Sequence, residues 1–347
     1  MFFPLFSGLL IGFALGFVMQ RGRFCMAGGL RDIYMEKDYR MFIALMIAIT
    51  IQSIGLFAFV ELGWVKLPSG TFPWLATIIG GLIFGAGMGF AGTCSTGAYY
   101  RAAEGLWGSI LAVVGFMLSS YLIRLPEIKN AVSPVTSVKY SVGTIDQTFN
   151  ISPWICVLAL TVITGTLVWR YLQRPKVFIP QLKAKKTGLA HLLLEARWHP
   201  FVTALIIGVI ALLAWVSSLA TGRVGGLGIS GPSAQFVDLL LTGNQAFFKW
   251  PGLLLIGIVL GSFVAAKGRA EFRFRYPGHT VISKSLFGGF LMGIGSGLAG
   301  GCLLGNALVG TAYMSWQGWL FIPMILLGSW FVNYFTLLRS VKLSYQG

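Results

Sequence analysis

Three of the four cysteines in this 347-residue chain sit in glycine-rich interruptions, and two of those interruptions match each other. Residues 80–97 read GGLIFGAGMGFAGTCSTG and residues 288–305 read GGFLMGIGSGLAGGCLLG, nine identities in eighteen without a gap. The match places Cys94 and Cys302 in equivalent positions. Cys25 stands in a third break, RGRFCMAGG, whereas Cys156 lies inside an ordinary apolar run and reads as a small inert hydrophobe. A thiol is a weak hydrogen-bond donor and a soft partner. At a break inside a membrane it could touch a passing soft atom, carry a persulfide or form a transient disulfide. Metal binding is a poor fit, since CxxC is absent and no His, Asp or Glu accompanies the cysteines at ligand spacing. Neither a metal nor a cofactor is expected.

The breaks also carry charge. Gly22-Arg23 and Gly222-Arg223 correspond at an offset of 200, although the second copy has Gly225 where the first has Cys25. Arg101 follows Cys94 by seven residues, with Glu104 close by. Arg23 and Arg223 are expected to attract an anion, helped by the partial positive charge of short helix N-termini after the breaks. Arg21 and Arg31 read instead as interfacial cations that snorkel. His191, His199 and His279 fall in basic loops, where solvated or interfacial roles are the default. The candidate translocation residues are thus Cys25, Cys94, Cys302, Arg23, Arg223, Arg101 and Asn306.

Elements long enough to cross a bilayer must hold these residues. The chain is 56% apolar and 10% charged, far from the quarter-charged composition of soluble domains. Apolar runs predict an all-α polytopic membrane protein with about nine spans, near 3–19, 41–60, 74–92, 106–123, 152–169, 200–217, 250–266, 285–300 and 319–338. Of the twenty-six Lys and Arg, twenty fall in alternate connections that include the C-terminal tail, and six in the others. The positive-inside rule therefore predicts an external N-terminus and a cytoplasmic C-terminus. It also accounts for the net charge of +16 without nucleic acid. Basic residues follow the first apolar stretch and none precedes it, so that stretch is expected to stay as a span and not to be cleaved as a leader.

The repeat then divides the chain as 4+1+4. Residues 1–151 form one half, 152–199 a linking helix and basic cytoplasmic loop, and 200–347 the second half. An odd linker inverts the second copy relative to the first. Inverted repeats are frequent in transporters, whose sites lie near the midplane on broken helices. A glycine-rich break at membrane depth is tolerated only when buried in protein or lining a polar cavity, so short re-entrant helices are expected at Cys94 and Cys302. No acid lies within an uninterrupted apolar span, which argues against a carboxylate-coupled pump.

The motifs G-R-F-C at 22–25, A-G-T-C-S-T-G at 91–97 and A-G-G-C at 299–302, with W-H-P-F-V-T-A at 198–204, resemble the YeeE/YedE family of bacterial inner-membrane proteins. The likeness is nearest the YeeE branch. It implies an hourglass-shaped, non-enzymatic transporter that takes up thiosulfate as a sulfur source. Short helices would penetrate from both faces, and the anion would pass along weak contacts to Cys25, Cys94 and Cys302. The resemblance further implies a small cytoplasmic partner of the sulfurtransferase type. Neutral thiols suit such a neck, because a Lys or Arg there would hold a dianion too tightly for conduction. Two alternatives use the same cysteines: transport of another sulfur or selenium compound, and a membrane sulfurtransferase or redox protein. A scaffold whose cysteines merely pack is the third.

Overall fold

The computed structural model describes residues 2–68, 70–173, 196 and 198–338. Most of the basic loop with His191, and the C-terminal tail, lie outside the described residues. The described chain is all-helical. The first half holds α1 (Phe2–Gly22), α2 (Met26–Met35), α3 (Arg40–Glu61), α4 (Trp74–Ala91), α5 (Ser95–Ala103) and α6 (Trp107–Leu122). Three short helices follow, α7 (Pro126–Ala131), α8 (Ser133–Thr136) and α9 (Ile145–Phe149), and then the linking helix α10 (Pro153–Leu172). The second half holds α11 (Pro200–Leu219), α12 (Ser230–Thr242), α13 (Trp250–Gly268), α14 (His279–Leu298), a π-helical segment Leu304–Gly310 and α15 (Trp316–Asn333).

Among the described residues, eight helical stretches are long and apolar enough to cross a membrane. The ninth expected span, α6, is apolar but has only 16 residues. At 1.5 Å per residue it reaches about 24 Å, short of a hydrocarbon core of about 30 Å. Its start is pinned where the chain bridges to a distant loop: Arg275 N donates to Gly105 O at 3.1 Å and Trp107 N to Arg275 O at 3.3 Å.

The helices pack through small residues, because in lipid close backbone approach and van der Waals contact replace the hydrophobic drive. A Cβ on Gly12 or Gly16 of α1 would sit 2.1 Å from the carbonyl oxygen of Leu254 or Ile258 on α13. Reciprocally, a Cβ on Gly257 or Gly261 would meet Leu9 O or Phe13 O at 2.3 and 2.0 Å. Alanine at any of these four positions would push the two helices apart.

The packing pairs come in matched sets. α1 packs on α13, and α11 on α3; α6 packs on α14, and α15 on α4; α2 meets α15, and α12 meets α6. α5 touches α6 and α13, while Leu304–Gly310 touches α15 and α3. Cys156, on α10, is only half-buried, on a helix that packs chiefly against α3.

Candidate functional site

Each half of the chain carries two breaks, and a short helical segment follows each one. Cys25 is the N-cap of α2 and Cys94 the N-cap of α5. Cys302 directly precedes the π-helical segment, and the Gly225–Gly228 stretch precedes α12. The repeat is visible in the backbone. Gly92 and Gly300 are equivalent residues, and both adopt left-handed φ, +62° and +68°. L side chains rarely adopt that region. Each glycine ends its long helix and turns the chain so that a cysteine follows two residues later.

The three break cysteines are buried, Cys94 and Cys302 completely. Cys25 and Cys94 are neighbours. A Cβ on Gly97 would lie 3.2 Å from both sulfurs. Gly97 N donates to Cys94 Sγ at 3.3 Å, and the Thr93 hydroxyl lies 4.0 Å from Cys25 Sγ. Arg101, on the same short helix, stands in electrostatic range of Cys25 and over the Tyr100 ring at 6.0 Å; its Nη1 donates to Gly92 O. Cys302 is held by its own segment. Its carbonyl accepts from Asn306 N at 2.8 Å, and Asn306 Nδ2 donates to Ala299 O and Gly301 O at 2.9 and 3.0 Å. Asn306 therefore ties the cysteine loop to the segment that follows it.

Between the two cysteine loops lies an apolar neck. Phe24, Met26, Leu45, Leu303, Leu304 and Leu308 line it, among others, together with Cys94 and Thr96, around a cavity of about 20 Å³. That is room for one water molecule. A polyatomic anion passes only if the lining side chains move.

On one side of the neck a cavity of about 430 Å³ reaches down to Gly300, Gly301 and Asn306, next to Cys302. Arg223 and Arg124 line it, and no carboxylate does. Arg223 Nη1 donates to Ser218 Oγ at 2.9 Å and to Gly226 O at 2.9 Å, and its guanidinium lies over the Trp250 ring at 5.6 Å. Burial pulls its pKa down, but an arginine remains charged across the neutral range. A second basin of about 460 Å³ shares Arg124 and Gly300 and adds Lys129 and Lys139.

Arg23, the sequence counterpart of Arg223, has a different fate. Its Nη1 donates to Glu104 Oε1 and Oε2 at 3.0 and 2.8 Å, and its Nη2 to Glu271 Oε2 at 2.6 Å. Gln20 Nε2 donates to Glu271 at 3.0 Å, and Arg269 pairs with the other Glu271 oxygen at 3.2 Å. Arg23 is thus the centre of an ion-paired plug on the Cys25 side and not a free cation. Burial raises the pKa of Glu104, opposed chiefly by the charge of Arg23. Arg21 departs from its expected interfacial place too. It is fully buried in the last turn of α1 and donates to the carbonyl of Ala196. Arg31 does sit at a partly exposed surface, paired with Asp32 at 2.8 Å.

Several residues at the site were not singled out from the sequence. Glu271 lies in a basic loop remote from Arg23 in the chain, so no spacing links them. Arg124 ends a span on the cation-poor side, a signal that could have found it. Tyr99 of α5 shares a 2.7 Å hydrogen bond with Ser233 of α12 and lies in electrostatic range of Cys302, joining the halves beside the neck. Among the described residues no cluster of His, Cys, Asp and Glu could hold a metal ion.

Eight helical stretches long and apolar enough to cross a bilayer define a multi-pass membrane protein. The chain belongs to the family described as Sulphur transport, the YeeE/YedE family, whose profile matches residues 21–331. It is similar to the thiosulfate transporter TsuA of Escherichia coli K12, 47% identical over 342 residues that cover 99% of this chain and 97% of that protein. It is also similar to the thiosulfate transporter TsuA of Spirochaeta thermophila, 29% identical over 94% of this chain and 97% of that protein. The probable transporter YedE of Escherichia coli K12 is 32% identical over 33% of this chain and 29% of its own length.

Proposed function

We propose that this protein takes up thiosulfate across the bacterial inner membrane through the neck between its two cysteine loops. The arrangement of the neck carries the reading. A carboxylate-free cavity with two arginines reaches Gly301 and Asn306 beside Cys302, and an apolar cavity lined by Cys94 and Leu303 lies between the two cysteine loops. Arginine in the wide mouth raises the local concentration of a dianion. Thiol sulfur is soft, so these side chains contact the anion's terminal sulfur without trapping it. In this reading Cys302, Cys94 and Cys25 are met in turn, and the Arg23–Glu104–Glu271 plug stands at the exit.

The architecture we infer is an inverted repeat, 1–151 and 200–347, joined by the fifth span, α10, and its loop. The matched packing pairs and the paired left-handed glycines support it. By the distribution of cations, the Arg223 mouth faces the periplasm, the N-terminus lies there as well, and the C-terminus is cytoplasmic. A small sulfurtransferase-type protein would receive the anion beneath the plug.

The test is uptake of radiolabelled thiosulfate into proteoliposomes, with sulfate and selenite as competitors. Saturable uptake that neither competitor abolishes supports the reading. Equal competition by selenite moves the substrate to a selenium compound, and no uptake at all overturns it. One observation favours a redox alternative, the adjacency of Cys25 and Cys94. Loss of two alkylatable thiols when substrate is added, restored by a reductant, would establish that alternative instead.

A further inference from the structure

The two cysteine loops are equivalent in sequence position but opposite in polarity. The first reads Thr93-Cys94-Ser95-Thr96-Gly97 and the second Gly301-Cys302-Leu303-Leu304-Gly305. Thr96 corresponds to Leu304, and both line the neck cavity. Thr96 is 1% exposed and Ser95 fully buried, and neither hydroxyl has a hydrogen-bond partner. Such a group is costly, and native structures keep very few of them without a reason. Threonine in a helix can donate its hydroxyl to the backbone carbonyl four residues back, as Thr50 and Thr77 do here. Thr96 makes no such bond.

We propose that the Thr96 hydroxyl is a substrate-recognition group that donates a hydrogen bond to an oxygen of the anion while Cys94 contacts its soft sulfur. The inference rests on the uptake reading and sharpens it. Thiosulfate has a hard end with three oxygens and a soft terminal sulfur. A thiol suits the sulfur and a hydroxyl suits an oxygen, and the wall around Cys94 carries both. At the matching positions the second loop has Leu303 and Leu304, which carry no hydroxyl. The first loop therefore offers a hydroxyl beside its thiol that the second lacks. The positive N-terminal end of α5, nine residues long and capped by Cys94, adds to the attraction. The anion would supply the partner that no protein group gives this hydroxyl.

The experiment compares wild type with Thr96→Val, which keeps the shape and removes the hydroxyl, and with Thr96→Ser, which restores it. Initial rates of thiosulfate uptake in proteoliposomes and thermal melting of the purified protein, with and without thiosulfate, are measured together. Thr96→Val should lower uptake at subsaturating thiosulfate by about tenfold or more, as loss of a hydrogen bond to an ion does. It should melt no lower than wild type without substrate, because removing an unpartnered buried hydroxyl relieves a cost, and thiosulfate should no longer raise its melting temperature. Thr96→Ser should recover most of the uptake. If Thr96→Val transports like wild type, the hydroxyl is not a recognition group. If it melts several degrees lower and Thr96→Ser fails to rescue uptake, the hydroxyl serves only the fold. Absence of uptake by the wild type would instead strike the parent reading, so the two failures are separable.

Discussion

Arg23 and Arg223 occupy matching places in a duplicated sequence, yet they end in opposite electrostatic surroundings. Arg223 borders a wide cavity, bonded to a hydroxyl and backbone carbonyls, with no carboxylate on the lining. Arg23 is held by Glu104 and Glu271. The first arrangement leaves a positive potential pointing into the cavity. The second cancels it. A duplicated arginine thus borders an acid-free cavity in one place and is ion-paired in the other. The difference lies in the acids packed against each arginine: Arg23 meets Glu104 of its own half and Glu271 of the other.

The largest effect should come from the cysteines that separate the mouths. Cys94→Ala or Cys302→Ala should reduce thiosulfate uptake to the level of empty vesicles, with membrane expression unchanged. Cys156→Ala, outside the neck, should transport like wild type. Full uptake with both neck cysteines replaced would dispose of the relay.

Next in size is the plug. Arg23→Ala leaves Glu104, only 4% exposed, without its cation, beside Glu271. Breaking a buried pair costs about 3–5 kcal/mol; with Arg23 31% exposed, the loss expected is nearer 2–3 kcal/mol. Denaturation in detergent would measure it, and an Arg23→Ala variant as stable as wild type would mean that the ion pairs are not a closure.

Arg223→Gln should behave differently. Its stability should change little, whereas the KM for thiosulfate should rise a few-fold, corresponding to about 0.5–1 kcal/mol of lost attraction. The difference from wild type should shrink as ionic strength rises. An unchanged KM at low salt would remove Arg223 from the mouth's function and leave Arg124 to carry it.

The smallest effect separates the mouths by pH. Burial raises the Glu104 pKa above the ordinary glutamate range in the folded protein. The folded state therefore takes up a proton at a pH where the unfolded state does not yet. From this group, stability rises as pH falls from neutral through the raised value, and that gain is complete once pH passes below the unfolded pKa. Glu104→Gln should flatten this part of a melting-temperature profile, and Arg223→Gln should not. A Glu104→Gln profile that matches wild type would show that Glu104 does not titrate in this range.

Much of the framework was legible beforehand, for simple reasons. A span must satisfy its own backbone hydrogen bonds in lipid, so long uncharged runs have little choice but helix. That logic located nine helices, and failed by degree only at α6, whose length is set by the backbone bridge to Arg275. The cysteine breaks were legible because a left-handed turn at Gly92 and Gly300 leaves an A-G-x-C signature in both copies. The neighbours of the arginines were not. Arg23 meets Glu271 across 248 positions of chain, and no periodicity encodes a contact of that kind.

From composition, periodicity and repetition alone come a bilayer-spanning chain, the position of its breaks, and the equivalence of Cys94 with Cys302. These are local properties, governed by backbone satisfaction, glycine's access to left-handed φ and the arithmetic of an internal repeat. Packing alone decided that Cys25 lies against Cys94, that Thr96 faces the neck without a partner, and that Arg23 is neutralised while Arg223 is not. Charge acts through space and is strong only over a few ångströms of low-dielectric surroundings. Its effect therefore depends on which helices meet, and two equivalent arginines were free to acquire opposite roles.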